Sequence, residues 1–550
     1  MLTGAQLVVQ ALEGEGVELA FGLPGVHNLA LWRAVGESGI RLIGVRHEQT
    51  AAYAADGYAR ASGRLGVAMT TTGPGAANTL AAVGEAWASR QPLLVIATDV
   101  PTSVRRPGAW RGSLHEATDQ AAMFEPVTKG TLRVRSAGSL GAAIGEAARL
   151  AMEPPRRPVY VEVPTDLLSA EAQDPAPVPE PRPSGGPVPH DRLVQAAERI
   201  RPSRRPLIWA GGGALQADAG QAVAELAERL VAPVITTYSA AGLLPPDHPC
   251  LVGPPPHVPE VGALWDEADL VIAIGTDFDG PMTQNWTMPQ PPHLIAINVD
   301  AEDAAKAYLP DLTIEGDARE ATELLAHRIE TRGGLDALAR RLRELDAEVR
   351  RELVESDRDA IEFLDSFTGA LPDDAVVVCD MCIPGYWLGS FFRAPAPRKL
   401  AYPLGWGTLG CGFPQALGAA LAGEGPVVSV SGDGGFLYAC GELATAAQES
   451  IPITAVIVDD GGYGMLRFDQ DRRGLPREGV DLHTPDFAAL AASFGIRSFT
   501  VEDLGANFAA ALARQIASGE PSVLVAKAAL GPPPNVSPRW YRRARAQPSR

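Results

Sequence analysis

Residues 427–431 (VVSVS) and 454–458 (TAVIV) are apolar, β-branched runs short enough to be buried parallel strands, and residues 441–450 between them have the length of a crossover helix. No other stretch constrains the fold as tightly. Such a strand–helix–strand unit implies a doubly wound α/β sheet, which binds ligands at the carboxyl ends of its strands. Two acidic glycine turns leave that edge: Gly432-Asp433-Gly434-Gly435 after the first strand and Asp459-Asp460-Gly461-Gly462 after the second. Glycine lets the backbone approach a phosphate closely, and carboxylates at such a point neutralise a cation. Asp433 and Asp460 are therefore candidate ligands for Mg²⁺ bridging to a diphosphate. One Gly-Asp-Gly turn alone would be read as a turn; its acidic counterpart one unit later argues for a site.

The chain has 550 residues, enough for about three domains. Residues 1–168 alternate helices with strands expected at 19–22, 41–46, 66–72, 93–97 and 159–163. A Pro-rich linker covers 169–189. A second α/β unit, 190–334, carries strands at 207–210, 234–237, 270–275 and 294–299. Residues 335–369 form a charged helical connector whose helix is expected over 335–367. The third unit, 370–530, adds strands at 375–379 and 522–527, and 531–550 is a basic, Pro-rich tail. The expected fold is α/β, with three doubly wound domains of mainly parallel sheet.

A net charge of −19 argues against nucleic acid as a partner. No apolar run is long enough to span a membrane, and the N-terminus lacks the basic region and cleavage site of a signal peptide. Five cysteines without a disulfide-like pattern suit a reduced, cytoplasmic setting. The one close pair, Cys379 and Cys382, sits at a strand end without other ligand types and is read as coincidence.

The first unit carries FGLPG, RHE, AADGYAR and TTGPGAAN in that order. Together with the two acidic turns, these motifs resemble the thiamine-diphosphate (ThDP)-dependent 2-oxo acid decarboxylases and carboligases, in particular the acetolactate synthase large subunit. The resemblance spans both ends of the chain and implies a pyrimidine-binding, a middle and a diphosphate-binding domain. Glu48 matches the family's glutamate that hydrogen-bonds N1′ of the aminopyrimidine, with Gly73 and Asn78 in the same domain's binding loop. Gly407 matches the carbonyl that accepts from the 4′-amino group, and Leu409 the bulky residue that bends the cofactor. Gly432, Asp433, Gly434, Gly435, Gly462, Tyr463, Gly464 and Met465 fall in the diphosphate-binding loops, with Asp433, Asp460 and the Gly462 carbonyl as metal ligands. One departure stands out: Asp459-Asp460 replaces the family's Asn-Asn, and the extra carboxylate would either tighten the metal or repel the phosphates. The resemblance also implies a homodimer or homotetramer with active sites between subunits.

The middle unit's Gly211-Gly212-Gly213 turn is weak evidence for a nucleotide. FAD, which some relatives bind there, stays an open alternative that the Pro-rich 253–265 segment argues against. The substrate is expected to be a small 2-oxo acid, losing CO₂ before the remaining fragment joins an acceptor. The alternative is a longer 2-oxo acid released as an aldehyde; a non-catalytic homologue is the third reading. Pyruvate decarboxylases carry a proton-transferring aspartate after Pro24-Gly25, where this chain has Val26. The LHEATDQ segment resembles instead a branch that decarboxylates 5-guanidino-2-oxopentanoate. Gly25, Val26, His27, His115 and Met465 are the pocket candidates. No carboxylate pair suited to a guanidinium tail stands out in the sequence.

Overall fold

A computed structural model describes residues 1–106, 108–172 and 187–534; most of the linker and tail readings lie outside the described residues. The first sheet contains β1 (Leu19–Gly22), β2 (Arg41–Gly44), β3 (Gly66–Thr70), β4 (Leu93–Asp99), β5 (Gly130–Arg133) and β6 (Val159–Pro164), in the order β2-β1-β3-β4-β6-β5. The second contains β7 (Pro206–Ala210), β8 (Val234–Thr236), β9 (Leu251–Val252), β10 (Leu270–Ile274), β11 (Leu294–Asn298) and β12 (Leu312–Glu315), ordered β12-β11-β10-β7-β8-β9. The third contains β13 (Val376–Cys379), β14 (Leu400–Ala401), β15 (Val427–Gly432), β16 (Ile453–Asp459), β17 (Arg497–Val501) and β18 (Ser522–Lys527), ordered β14-β13-β15-β16-β18-β17. Every pairing is parallel, for example Val430 opposite Val456 and Val456 opposite Leu524. The fold is α/β with three parallel-sheet domains.

The sequence reading misses β5, β9, β12, β14 and β17, and all five are edge strands. An edge strand is covered on fewer sides, so it need not be an unbroken apolar run; Arg497–Val501 is mostly exposed. Two helices also differ. The connector is not one helix but two, Leu335–Ser356 and Arg358–Ala370, broken where Asp357 leaves helical geometry at φ −142°. The crossover opens with a 3₁₀ turn, Cys440–Glu442, before the helix Leu443–Glu449.

The first and third domains meet where the Ala-rich helix Glu48–Ser62 packs on the helix Gly412–Leu421. Contact is so close that a Cβ on Gly57 would lie 1.9 Å from the Gln415 carbonyl oxygen. One on Gly418 would lie 1.7 Å from that of Ala54. Beneath the crossing, the fully buried Asp56 accepts from Arg60 Nε at 3.0 Å and Gln415 Nε2 at 2.6 Å. Gly57→Ala should force these helices apart at a cost of about 1–3 kcal/mol. The check is a lowered thermal midpoint with Gly418→Ala behaving alike.

Candidate active site

The loops that leave the carboxyl ends of the first and third sheets carry nearly every residue singled out above. Glu48 begins its helix directly after β2 and is 8% exposed. Its Oε2 accepts from Asn78 Nδ2 at 2.9 Å. Gly75 packs so near that a Cβ there would stand 3.4 Å from Glu48 Oε1. Gly73 holds φ +66°, and a Cβ would sit 2.4 Å from the His115 carbonyl oxygen. The Gly25 amide donates to Asn28 Oδ1 at 2.7 Å, so the turn projects Val26 into solvent while His27 points back. His27 Nδ1 and Thr72 Oγ1 are 2.8 Å apart, and the His27 and His115 rings meet edge-to-face at 5.5 Å. Burial, then the neighbouring His115, lowers the His27 pKa, against the opposing charge of Asp99.

In the third domain Asp433 follows β15 and is buried, with Gly434 and Gly435 beside it. Its Oδ2 has no hydrogen-bond partner. Burial is the main cause, with the charges of Asp460 and Asp459 adding to it, that pushes the Asp433 carboxyl up to about 7. Gly435 is pressed between Asp380 and Leu409: a Cβ there would stand 3.1 Å from Asp380 Oδ2 and 3.3 Å from Leu409 Cδ1. Asp460 Oδ1 pairs with Arg467 Nη2 at 2.7 Å. A Gly462 side chain would strike the Val480 carbonyl, a Gly434 side chain the Tyr463 ring, and a Gly464 side chain Asp460. Met465 is half-buried against the core.

Asp459 is one half of the Asp459-Asp460 departure from the family pattern, and the fold gives it a partner. It lies opposite Lys527 across β16–β18, and its Oδ2 forms an ion pair with Lys527 Nζ. Its Oδ1 accepts from Thr484 Oγ1 at 3.3 Å. Among the described residues no cluster of three or more His, Cys, Asp or Glu forms a metal site. The donors on offer are carboxylates and a carbonyl, all oxygen, which suits a hard cation.

Three further acids position these loops, and sequence reasoning missed all three. Glu85, buried in an Ala-rich helix, accepts from the amides of Gly405 (3.2 Å), Trp406 (2.9 Å) and Gly407 (3.1 Å). Asp380 accepts from the amides of Met381 and Gly410 at 2.7 and 2.9 Å, and burial raises its pKa to about 6. Glu442 reaches from the third domain to accept from the amides of Arg46 and His47, both at 3.0 Å, immediately before Glu48. Their only sequence signal is a lone acid in an apolar setting. Cys379 and Cys382 are free thiols, and burial raises both pKa values.

A cavity of about 530 Å³ opens where the three domains meet, lined by Arg60, Arg90, Gly212, Thr276, Asn298 and Gly405 among others. Residues 253–265 are not among its lining; Val258, Val261, Leu264 and Trp265 pack into the core instead.

Three family models match the sequence: the thiamine pyrophosphate enzyme N-terminal TPP binding domain over residues 2–123, the central domain over 193–325 and the C-terminal TPP binding domain over 382–526. A probable 2-ketoarginine decarboxylase of Pseudomonas aeruginosa is 39% identical over 92% of this chain and 90% of its own. A probable acetolactate synthase large subunit of Methanocaldococcus jannaschii is 31% identical over 90% and 87%. An acetolactate synthase of Bacillus subtilis is 30% identical over 91% and 88%.

The buried Asp433 carboxylate makes a prediction about the metal-free protein. Its folded pKa lies above the unfolded value, so the stability its protonated form contributes is present below pH ~4 and lost as pH rises through about 7. Asp433→Asn should therefore raise the melting temperature at pH 8 by at least ~2 °C. Melting curves taken across pH should show that gain shrinking towards pH 4.

Proposed function

Because the chain belongs to the thiamine pyrophosphate enzymes, we propose that it decarboxylates a 2-oxo acid with ThDP and Mg²⁺ held between the first-domain loops of one subunit and the third-domain loops of its partner. One observation carries the reading: the buried Asp433 oxygen without a partner, in a cradle of glycines that side chains would fill. Asp433, Asp460 and the Gly462 carbonyl are the proposed Mg²⁺ ligands. Lys527 neutralises Asp459, so the Asp-Asp pair need not repel a diphosphate. Bound ThDP supplies the nucleophilic carbon and accepts the electron pair left by CO₂. Glu48 holds the proton it shares with N1′ of the aminopyrimidine, and Asn78 keeps that carboxylate aimed. Gly407 would offer its carbonyl to the 4′-amino group, and Leu409 would pack against the bound cofactor. Neither decarboxylation nor ligation changes the net redox state, so this reaction requires no flavin.

The fate of the remaining fragment separates two readings. Val26 holds no proton where pyruvate decarboxylases carry an acid, which favours joining the fragment to an acceptor. The meeting of His27 and His115 beside Gly73 favours protonation and release of an aldehyde. We favour release, because these two imidazoles are the proton carriers the fold has brought together.

Assembly follows from the surface. Val26, Trp110, Leu114, Trp406, Tyr438 and Leu466 are large apolar side chains more than half exposed, and each lies within a few residues of a proposed site group. Their exposure near the site is compatible with a partner covering them, and with the family's assembly it supports placing each active site between two subunits of a homodimer or homotetramer. Five free cysteines fit a reducing cytoplasm. Among the described residues no helix is long and apolar enough to cross a membrane.

Glu48→Gln should retain the fold and ThDP binding by calorimetry but slow CO₂ release on the order of 10²-fold or more. Undiminished turnover would refute the role of Glu48. Product analysis then decides the fate: free aldehyde in step with CO₂ supports release, whereas a 2-hydroxyketone supports ligation. His115→Ala should lower aldehyde release under the first reading and mainly shift substrate preference under the second.

A further inference from the structure

Asp99 ends β4, and Glu162 lies in the adjacent β6 opposite Ala97, so both side chains emerge on one face of the sheet. Both are buried: Asp99 is 3% exposed and Glu162 is 0%. A guanidinium is seated between them, that of the chain's own Arg105. Its Nη1 is 2.8 Å from Asp99 Oδ2 and its Nη2 is 2.8 Å from Glu162 Oε1. Neither carboxylate oxygen of Glu162 has an aligned hydrogen-bond partner, so the Arg105 contact is an ion pair that leaves the carboxylate's hydrogen-bonding capacity unused. Two buried carboxylates therefore share one cation, and burial raises both their pKa values. Asp119 and Glu116 add negative charge nearby, while Arg133 stands 4.0 Å from Glu162 and pairs with Asp119.

The clamp adjoins the pocket candidates His27 and His115. Asp99 acts on the charge of His27, His27 meets His115, and the His115 carbonyl abuts Gly73. Gln120 bridges the same region, accepting from the Gly73 amide at 2.5 Å and bonding the Tyr160 hydroxyl at 2.7 Å. Arg105 arrives from the irregular segment between β4 and the 3₁₀ turn Ala121–Met123, the segment that also carries His115. Two buried carboxylates that flank one guanidinium at 2.8 Å each make a site for a flat cation. Removing the cation would leave two like charges in a dry setting unless a proton is taken up, so a cationic occupant is favoured.

We propose that Asp99 and Glu162 bind the guanidinium end of a guanidino 2-oxo acid substrate, and that Arg105 is an internal stand-in which the substrate's guanidinium displaces. The exchange is charge-neutral, one guanidinium for another, so the carboxylates stay paired throughout. This rests on the reading of the protein as a 2-oxo acid decarboxylase, and it selects cationic tails over neutral ones of equal length.

The test compares 2-ketoarginine with 2-oxopentanoate on the holoenzyme, and measures binding of the unreactive 5-guanidinopentanoate by calorimetry. Asp99→Asn combined with Glu162→Gln should cut the preference for 2-ketoarginine, as a ratio of kcat/KM, by at least ~30-fold. It should weaken 5-guanidinopentanoate binding to a similar degree. Arg105→Ala, which removes the competitor, should tighten that binding several-fold; Arg105→Gln serves if the alanine variant does not fold. An unchanged ratio in the double variant, or binding that weakens when Arg105 is removed, overturns the proposal. Because calorimetry reads the subsite without turnover, a protein that binds 5-guanidinopentanoate through these residues yet decarboxylates no 2-oxo acid would overturn the reaction and leave the subsite standing.

Discussion

Two buried carboxylates, Glu85 and Glu442, hold the first and third domains in the register on which the site depends. Glu85 takes three successive amides of the 405–407 loop, and Glu442 takes two successive amides just ahead of Glu48. Each reaches from one domain into the other. A carboxylate suits this task because its two oxygens can accept several N–H groups that the loop geometry leaves without backbone partners. A buried amide without an acceptor is costly, so these loops have one favoured seat. Arg60, paired with both Asp56 and Glu85, balances the charge beneath the crossing. The Ala and Gly surfaces of the two crossing helices then permit the close approach that brings those acids within reach.

The central strands and the glycine-rich turns were legible because their causes are local. A strand covered on both faces must be an apolar run, and a loop that passes close to another backbone must use glycine. Edge strands such as Arg497–Val501 lack that signature, for one side faces solvent. The positioning acids were illegible for a different reason. Glu85 lies 320 residues from Gly405, and Glu442 lies 396 from Arg46. No pattern within either segment announces a partner so distant. The Asp99–Glu162 clamp escaped notice likewise: its acids sit on separate strands, and neither occupies a recognisable motif. His27 and His115 could be named from sequence as pocket candidates, but only the fold shows that their rings meet.

The Asp459-Asp460 pair raises a more general point about charge in this protein. Where the family pattern has two amides, this chain has two acids, and each is given its own cation. Asp459 turns towards Lys527 on the neighbouring strand, and Asp460 towards Arg467 one turn into the following helix. Asp433, which feels the charges of both and has no cation of its own, is the one whose carboxyl is pushed up to about 7. A carboxylate withdrawn from water needs either a proton or a cation. Asp460 takes the second course, and Asp433, without a cation from the chain, is the carboxylate that a proton or a bound metal ion would neutralise.

Asp99 and Glu162 follow the second course as well, with Arg105 between them. At both places a guanidinium from the chain itself faces carboxylates that have the chemistry to bind something else: a hard cation at Asp460, a cationic tail at Asp99 and Glu162. Such an arrangement keeps an acidic pocket folded before its ligand arrives, since neither carboxylate is left uncompensated. It also sets a threshold. An incoming ligand must replace the contacts of the resident arginine, so a cation with the right shape exchanges at little net cost while a neutral group gains nothing by entering. Selectivity then resides in the competition with the chain's own side chain as much as in the pocket that surrounds it.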